Sequence, residues 1–379
     1  MKNWGLYRLL VRFLPARGSA VPSDLPARDR DAVEAILRRF RCVGATVCLF
    51  DAAGVTGTLS FGVSHLPSVP ARADTVYRAA SVSKFVAALG AMKLKEQGKI
   101  DLDADVNFYL PFSLRHPQAP DTPITLRMLM SHTAGIHDGN AYNAGIAQGI
   151  PLQTILQGDS FTAHLPNTLW EYSNLGAGIA GAVMEAAAGV DFEQLMQETV
   201  FAPLQVQATF YPQNVRGDLA DAIRILPRQK SPNFNAAQRR ARPLPPKEIN
   251  AEKHYNLAHG NLCVSAPDLA RLGVAGMIPG FLSEESLREM RRAVVPFGER
   301  AHNLSQGLFT FILQDSQIAP RPLYGHQGMA YGAVHGLFFD PEEQRGLAVL
   351  TTGASEARRG VLADLNAALL QKFLGENDG

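Results

Sequence analysis

Ser81 and Lys84 stand three residues apart in Ser81-Val82-Ser83-Lys84, at the head of a segment where Val82, Phe85, Val86, Leu89 and Met92 recur at helical spacing until Gly98. One helical turn puts both side chains on one face. A serine hydroxyl is a poor nucleophile at neutral pH and needs a neighbouring base, while the ammonium one turn away can lower proton affinities around it. Alone the pattern is weak, since at average residue usage it arises by chance about once in a chain of this length. Its plain alternative is a capped helix with a surface lysine. Two further elements follow in order, Tyr172-Ser173-Asn174 and His326-Gln327-Gly328, and three weak signals in order make a strong one.

Other motifs carry less. Gly176, Gly178 and Gly181 match a dinucleotide fingerprint but follow no buried strand, so small residues that let helices approach are the better account. Asp101, Asp103 and Asp105 mimic a calcium loop, yet Val106 and Phe112 stand where Gly and Glu are needed. The ten histidines include no His-Glu-x-x-His, and no Gly-x-Ser-x-Gly elbow occurs. No metal or cofactor is expected.

On these residues the chain resembles the serine β-lactamase and penicillin-binding-protein superfamily, especially its class C-like branch with DD-peptidases, D-aminopeptidases and β-lactamase-fold esterases. The resemblance runs from about residue 30 to 374 and includes TVYRAASVSK, GKIDLDADVNFYLP, ITLRMLMSHTAGI, WEYSNLGAGIAGAVMEAAAGVDF, GNLCVSAPDLARL and GHQGMAYGAVHGLFFDP. It implies Ser81 as the acylating nucleophile and Lys84 as its activator. Tyr172 matches a tyrosine general base and later proton donor, its pKa depressed by adjacent cations. Asn174 matches an asparagine that bonds Lys84 and the substrate carbonyl.

His326-Gln327-Gly328 is expected on a strand lining the cleft, with Gly328 letting the substrate approach the backbone. The backbone N–H groups of Ser81 and Met329 would form the oxyanion hole. His137-Asp138-Gly139, a second His-x-Gly, is set aside because the strand element must come near the end of the chain. His326 replaces the lysine that many β-lactamases carry, so a titratable group stands where a permanent charge would be. The Tyr-x-Asn form also points away from class A.

These side chains need elements to hold them. Residues 29–41 read as an amphipathic helix, 43–51 and 56–62 as strands of a hairpin, and 82–97, 125–131, 176–189 and 191–201 as helices. Strand signals return at 307–314, 322–326, 332–340 and 345–352, before a last helix at about 360–374. Residues 228–249, rich in Arg, Lys and Pro, read as an exposed loop. The expected fold is α+β, of the β-lactamase/transpeptidase-like kind: an antiparallel sheet of N- and C-terminal strands flanked by helices, with an inserted, mainly helical domain. The expected division is a segment 1–28, a sheet domain 29–80 with 290–379, and a helical domain 81–289.

Composition fits this. The chain has 379 residues, 46% apolar and 19% charged, and 36 Lys+Arg against 35 Asp+Glu leave a net charge of +1. That balance argues against nucleic-acid binding, which needs a basic surface. Three cysteines without a Cys-x-x-Cys pair indicate neither a disulfide framework nor structural zinc. Residues 2–14 are apolar but broken by Arg8 and Arg12, which spoils the core of a secretory signal and favours a cytoplasmic protein. This segment either packs on its own domain or lies on a membrane, with Trp4, Tyr7, Leu10, Val11 and Leu14 dipping inward, a weak peripheral contact through residues 1–14.

The expected function is a cofactor-free serine hydrolase forming an acyl-enzyme on a small carboxylic ester or a D-amino-acid-containing peptide or amide. The alternative is a β-lactamase or β-lactam-binding sensor that is acylated with little turnover, and a scaffold without chemistry is the third reading.

Overall fold

Strands from both ends of the chain meet in one nine-stranded antiparallel sheet. In the computed structural model, which describes residues 3–16, 18–19, 23–244, 247–250, 252–296 and 304–375, its members are β1 (Gly44–Asp51), β2 (Gly54–His65), β3 (Val69–Pro70), β4 (Val295–Pro296), β5 (Leu304–Gln306), β6 (Phe311–Leu313), β7 (Leu323–Ala330), β8 (Ala333–Asp340) and β9 (Arg345–Thr351). They lie in the order β3-β2-β1-β9-β8-β7-β6-β5-β4.

Alternation along each strand sends side chains to opposite faces. Ala45, Val47, Val334, Phe338, Leu347 and Val349 pack with Val33 and Leu37 of the helix Ala27–Arg39 and with Leu365 and Leu369 of the helix Asp364–Leu370. The intervening Cys48, Phe50, Leu337, Phe339, Ala348 and Leu350 join the second and larger core, with Phe85 of the helix Val82–Glu96 and Leu269 and Leu272 of the helix Ala266–Met277. Because the sheet is covered on both faces, its central strands are almost wholly buried.

The helix Val82–Glu96 is the axle of the helical part, buried without interruption from Val82 to Met92. It stops where expected, before Gly98 in the left-handed region. Beside it runs the helix Asn174–Ala188, capped by the Ser173 hydroxyl, which accepts from the Gly176 N–H at 2.8 Å. A Cβ on Gly178 would lie 1.7 Å from the Tyr255 carbonyl oxygen, so the glycines of the supposed dinucleotide motif serve close packing against the segment 254–258. The carboxylates of Asp103 and Asp105 are taken up by Arg127 and Arg115.

One sequence expectation needs correction. Residues 228–249 are not a plain loop: Arg228–Lys230 pairs with Ile223–Ile225, and Ala236–Arg240 is helical, anchored by Phe234 and Ala236 in a small apolar cluster of their own. The N-terminal helix, Trp4–Arg12, packs on its own domain, the first of the two readings of this segment, with Tyr7, Val11 and Leu14 on Val43, Ile223 and Ile225. Lys2 lies outside the described residues.

Candidate active site

Gly328 brings the strand to the helix. A Cβ there would stand 2.3 Å from the Ala79 carbonyl oxygen and 3.1 Å from the Ser81 nitrogen, so β7 lies flush against the turn that starts the helix Val82–Glu96. The expectation that Gly328 makes room for substrate is therefore corrected: the room is filled by the protein's own backbone. Ala80 pays for this turn with a positive φ of 48°, while Ser81 itself is right-handed and leads directly into the helix.

β6 pairs with β7 only as far as Gly325, opposite Phe311, and leaves the edge of residues 326–330 unpaired on that side. On the other side Met329 faces Val334. The Val334 N–H donates to Thr351 Oγ1 at 2.9 Å, away from Met329, and its carbonyl accepts from the same hydroxyl. Met329 and Val334 are thus a non-hydrogen-bonded pair, and the Met329 N–H points to the open edge. Gln327, between His326 and Gly328, faces the opposite way from them: its Oε1 accepts from Ala363 N at 3.0 Å and Asn366 Nδ2 at 3.1 Å, tying β7 to the C-terminal helix.

Lys84 Nζ sits within 3.3 Å of Ser81 Oγ, 2.8 Å of Asn174 Oδ1 and 2.7 Å of the His259 carbonyl oxygen. Burial pulls its pKa down to about 7, with the Arg78 charge pulling the same way and the Asp138 carboxylate opposing both. A neutral amine has two hydrogens and one lone pair. The two short bonds run to oxygens that only accept, so the lone pair of neutral Lys84 faces the Ser81 hydroxyl.

Lys84 Nζ stands 4.8 Å from the Tyr172 ring centroid. The pKa depression expected for Tyr172 is corrected: burial raises the phenol, the Asp138 charge raises it further, and only the nearby Ser81 hydroxyl opposes them. The ring rests on His132, 4.5 Å between centroids. His132 adopts a positive φ of 58° and accepts the Ser173 N–H on Nδ1 at 3.2 Å.

His326 reaches the same place, 6.4 Å from the Tyr172 ring and stacked on Phe311 at 4.2 Å. Its Nδ1 lies 2.6 Å from the Gln327 carbonyl oxygen and must carry the proton, which leaves Nε2 as a buried acceptor without a protein partner. Burial, aided by the Lys84 charge, drops its pKa to about 3, so the titratable group expected here stays neutral at ordinary pH.

All of Ser81, Lys84, Tyr172, Asn174, His326, Gly328 and Met329 converge on this cleft. Sequence reading missed Asp138, set aside with its His-x-Gly motif. Its carboxylate accepts from Asn174 Nδ2 at 2.7 Å, Leu175 N at 2.9 Å and the Ser173 hydroxyl at 3.2 Å. It also missed His132 and the His259 carbonyl, which sit on loops with no telling spacing. A cavity of about 890 Å³ lies elsewhere, and its buried Glu193 is already occupied by Thr209 Oγ1 and the Phe210 N–H.

Comparison with known proteins agrees with this geometry. A family model described as Beta-lactamase matches residues 30–372. Esterase EstB of Burkholderia gladioli is 27% identical, the match covering 92% of this chain and 95% of EstB. Penicillin-binding protein 4 of Amycolatopsis lactamdurans is 24% identical over 93% and 90%. Among solved structures, EstCE1, a hydrolase with promiscuous acyltransferase activity, superposes with a TM-score of 0.70 at 24% identity, covering 91% of this chain and 98% of its own. The D-amino acid amidase of Ochrobactrum anthropi SV3 gives 0.69 at 20% identity, over 90% and 96%. The chain belongs to the beta-lactamase family and is one of its serine hydrolases.

Proposed function

We propose that the protein hydrolyses small carboxylic esters, or D-amino-acid-containing peptides or amides, through an acyl-enzyme on Ser81. The observation that carries this is the Lys84 amine, whose two donor directions are taken by Asn174 and His259 while its lone pair faces Ser81. Ser81 Oγ attacks the carbonyl carbon and passes its proton to Lys84 Nζ. The oxyanion develops between the N–H groups of Ser81 and Met329. As the bond to the leaving group breaks, that group takes a proton from the Tyr172 hydroxyl, and the Lys84 ammonium returns a proton to the phenolate. Water then attacks the acyl carbon by the reverse route, and Ser81 regains its proton. Asn174 holds Lys84 and offers its amide to the substrate carbonyl.

The ester reading draws on the similarity to EstB along nearly the whole chain and on the neutral His326, which supplies no fixed cation for a β-lactam carboxylate. The test is intact-protein mass after incubation with a chromogenic short-chain ester, a fluorophosphonate and a β-lactam, in wild type and Ser81→Ala. Ester release and a fluorophosphonate adduct, both lost in Ser81→Ala, are expected. A long-lived β-lactam adduct without ester turnover would overturn the reading.

A further inference from the structure

The N-terminal helix Trp4–Arg12 has two apolar stripes, and the fold uses only one. Tyr7, Val11 and Leu14 pack on Val43, Ile223 and Ile225, and Arg8 clamps this face with bonds of 2.6 and 2.9 Å to Asp364. On the far side Leu6, Leu9, Leu10 and Phe13 follow the i, i+3, i+4, i+7 spacing of a continuous stripe. They are 54%, 50%, 49% and 80% exposed. Four large apolar side chains in one exposed row on a single short helix mark an interaction surface rather than scattered surface residues.

The charges beside it identify the partner. Arg12 stands exposed on the flank of the stripe, and Arg41 is drawn to the same end by its bond to the Arg12 carbonyl oxygen at 2.8 Å. Along the other end of that flank Arg358 lies 5.5 Å from the Trp4 ring centroid, beside the exposed Arg359. None of these four arginines has a carboxylate partner among the described residues; of the acidic residues that touch the helix, Asp364 is neutralised by Arg8 and Glu356 meets it through its backbone N–H, which donates to the Tyr7 hydroxyl. Apolar side chains rimmed by guanidinium groups that no carboxylate neutralises match the layering of an anionic bilayer surface, acyl chains below and phosphates at the level of the arginines. A second copy of this chain would bring the same arginines against one another.

We propose that the stripe Leu6, Leu9, Leu10 and Phe13 seats the enzyme on anionic lipid surfaces as a peripheral contact. Among the described residues no single helix is long and apolar enough to cross a membrane, so the contact lies in the interface plane. The face is the reverse of the one the sequence pattern suggested, since Tyr7, Val11 and Leu14 are the anchor to the protein and only Leu10 is shared.

Co-sedimentation with phosphatidylcholine vesicles, with and without phosphatidylserine, tests this on the full chain. Binding is expected only with phosphatidylserine, and it should weaken as salt rises. Leu9→Glu/Phe13→Glu should lower it at least about tenfold, and Arg12→Gln/Arg359→Gln should weaken it while leaving the residual salt dependence shallower. Unchanged melting and ester turnover in both variants would show that the fold and the catalytic cleft are intact. Equal sedimentation of wild type and Leu9→Glu/Phe13→Glu would overturn the proposal. So would absence of vesicle binding together with a concentration-dependent dimer in light scattering that the same variant dissolves.

Discussion

The carboxylate of Asp138 and the side-chain amide of Asn174 meet at 2.7 Å, nitrogen to oxygen, and this one contact decides which way the amide faces. With Nδ2 bound to a carboxylate, Oδ1 must turn to Lys84, where it accepts at 2.8 Å. Asp138 also accepts the Leu175 N–H at the start of the helix Asn174–Ala188, where a negative charge is favoured. It is a positioning residue, acting on the reaction through Asn174 and through its field on Lys84.

Asp138→Asn removes that charge and lets the Asn174 amide flip, so kcat should fall by roughly 10- to 100-fold, a loss typical of an outer residue that orients a reacting group. The sign of the accompanying pH shift is set by the electrostatics. Asp138 raises the Lys84 pKa, so the variant's acid limb should move to lower pH. A merely structural role would lower the amount of folded enzyme and leave the profile in place. Steady-state kinetics of ester hydrolysis against pH distinguishes the two.

Lys84 itself governs the acid limb in wild type. Its amine loses its proton near 7, and only the neutral form has a lone pair for the Ser81 proton. kcat/KM should therefore climb tenfold per pH unit below about 7 and level off above it. Burial holds Tyr172 protonated at the plateau, and His326, at about 3, adds no inflection of its own near neutrality. Lys84→Arg, charged at every working pH, should lower turnover by at least about 10³-fold. Retention of the rising limb in His326→Gln would support the assignment, and its loss would transfer the titration to His326.

Much of this was legible in the sequence, and what was not shares a cause. The helix expected over 82–97 is Val82–Glu96, and the strand expected over 43–51 is Gly44–Asp51, because both carry strong apolar periodicity. The three motifs likewise named the residues that converge on the cleft. Burial was not legible: the family resemblance implied a depressed pKa for Tyr172, while the fold packs its ring against His132 and Trp170, and desolvation wins. Asp138 comes to the site by a loop, where no spacing announces it. The N-terminal helix carries two apolar stripes, and periodicity finds both without saying which one docks.

Gly328 offers a test of the strand's seating. In Gly328→Ala the new methyl meets backbone, the Ala79 carbonyl at 2.3 Å, so β7 has to draw away from the Ser81 turn. The Met329 N–H, the proposed second oxyanion donor, then moves away from the Ser81 N–H. Loss of one oxyanion donor costs about 10²–10³ in kcat, whereas overpacking one methyl costs about 1–3 kcal/mol of stability. The expected outcome is a folded protein, confirmed by a cooperative melt, with kcat down by about that factor and fluorophosphonate labelling slowed in parallel.

Gly178 tests the link between packing and chemistry from the opposite side of the site. Its Cβ would fall 1.7 Å from the Tyr255 carbonyl oxygen, closer than any neighbour of Gly328, and the atom it meets is backbone. The segment it would push away runs on to His259, whose carbonyl holds Lys84 Nζ at 2.7 Å. Gly178→Ala should therefore destabilise the protein by about 3 kcal/mol or more, at the upper end for overpacking. In the fraction that folds, loss of the His259 acceptor frees one of the two hydrogens that aim the Lys84 lone pair at Ser81. Active-site titration with a fluorophosphonate would separate these effects: fewer competent sites from the packing, and slower acylation per site from Lys84. Normal acylation per site would mean that Asn174 alone suffices to orient the amine.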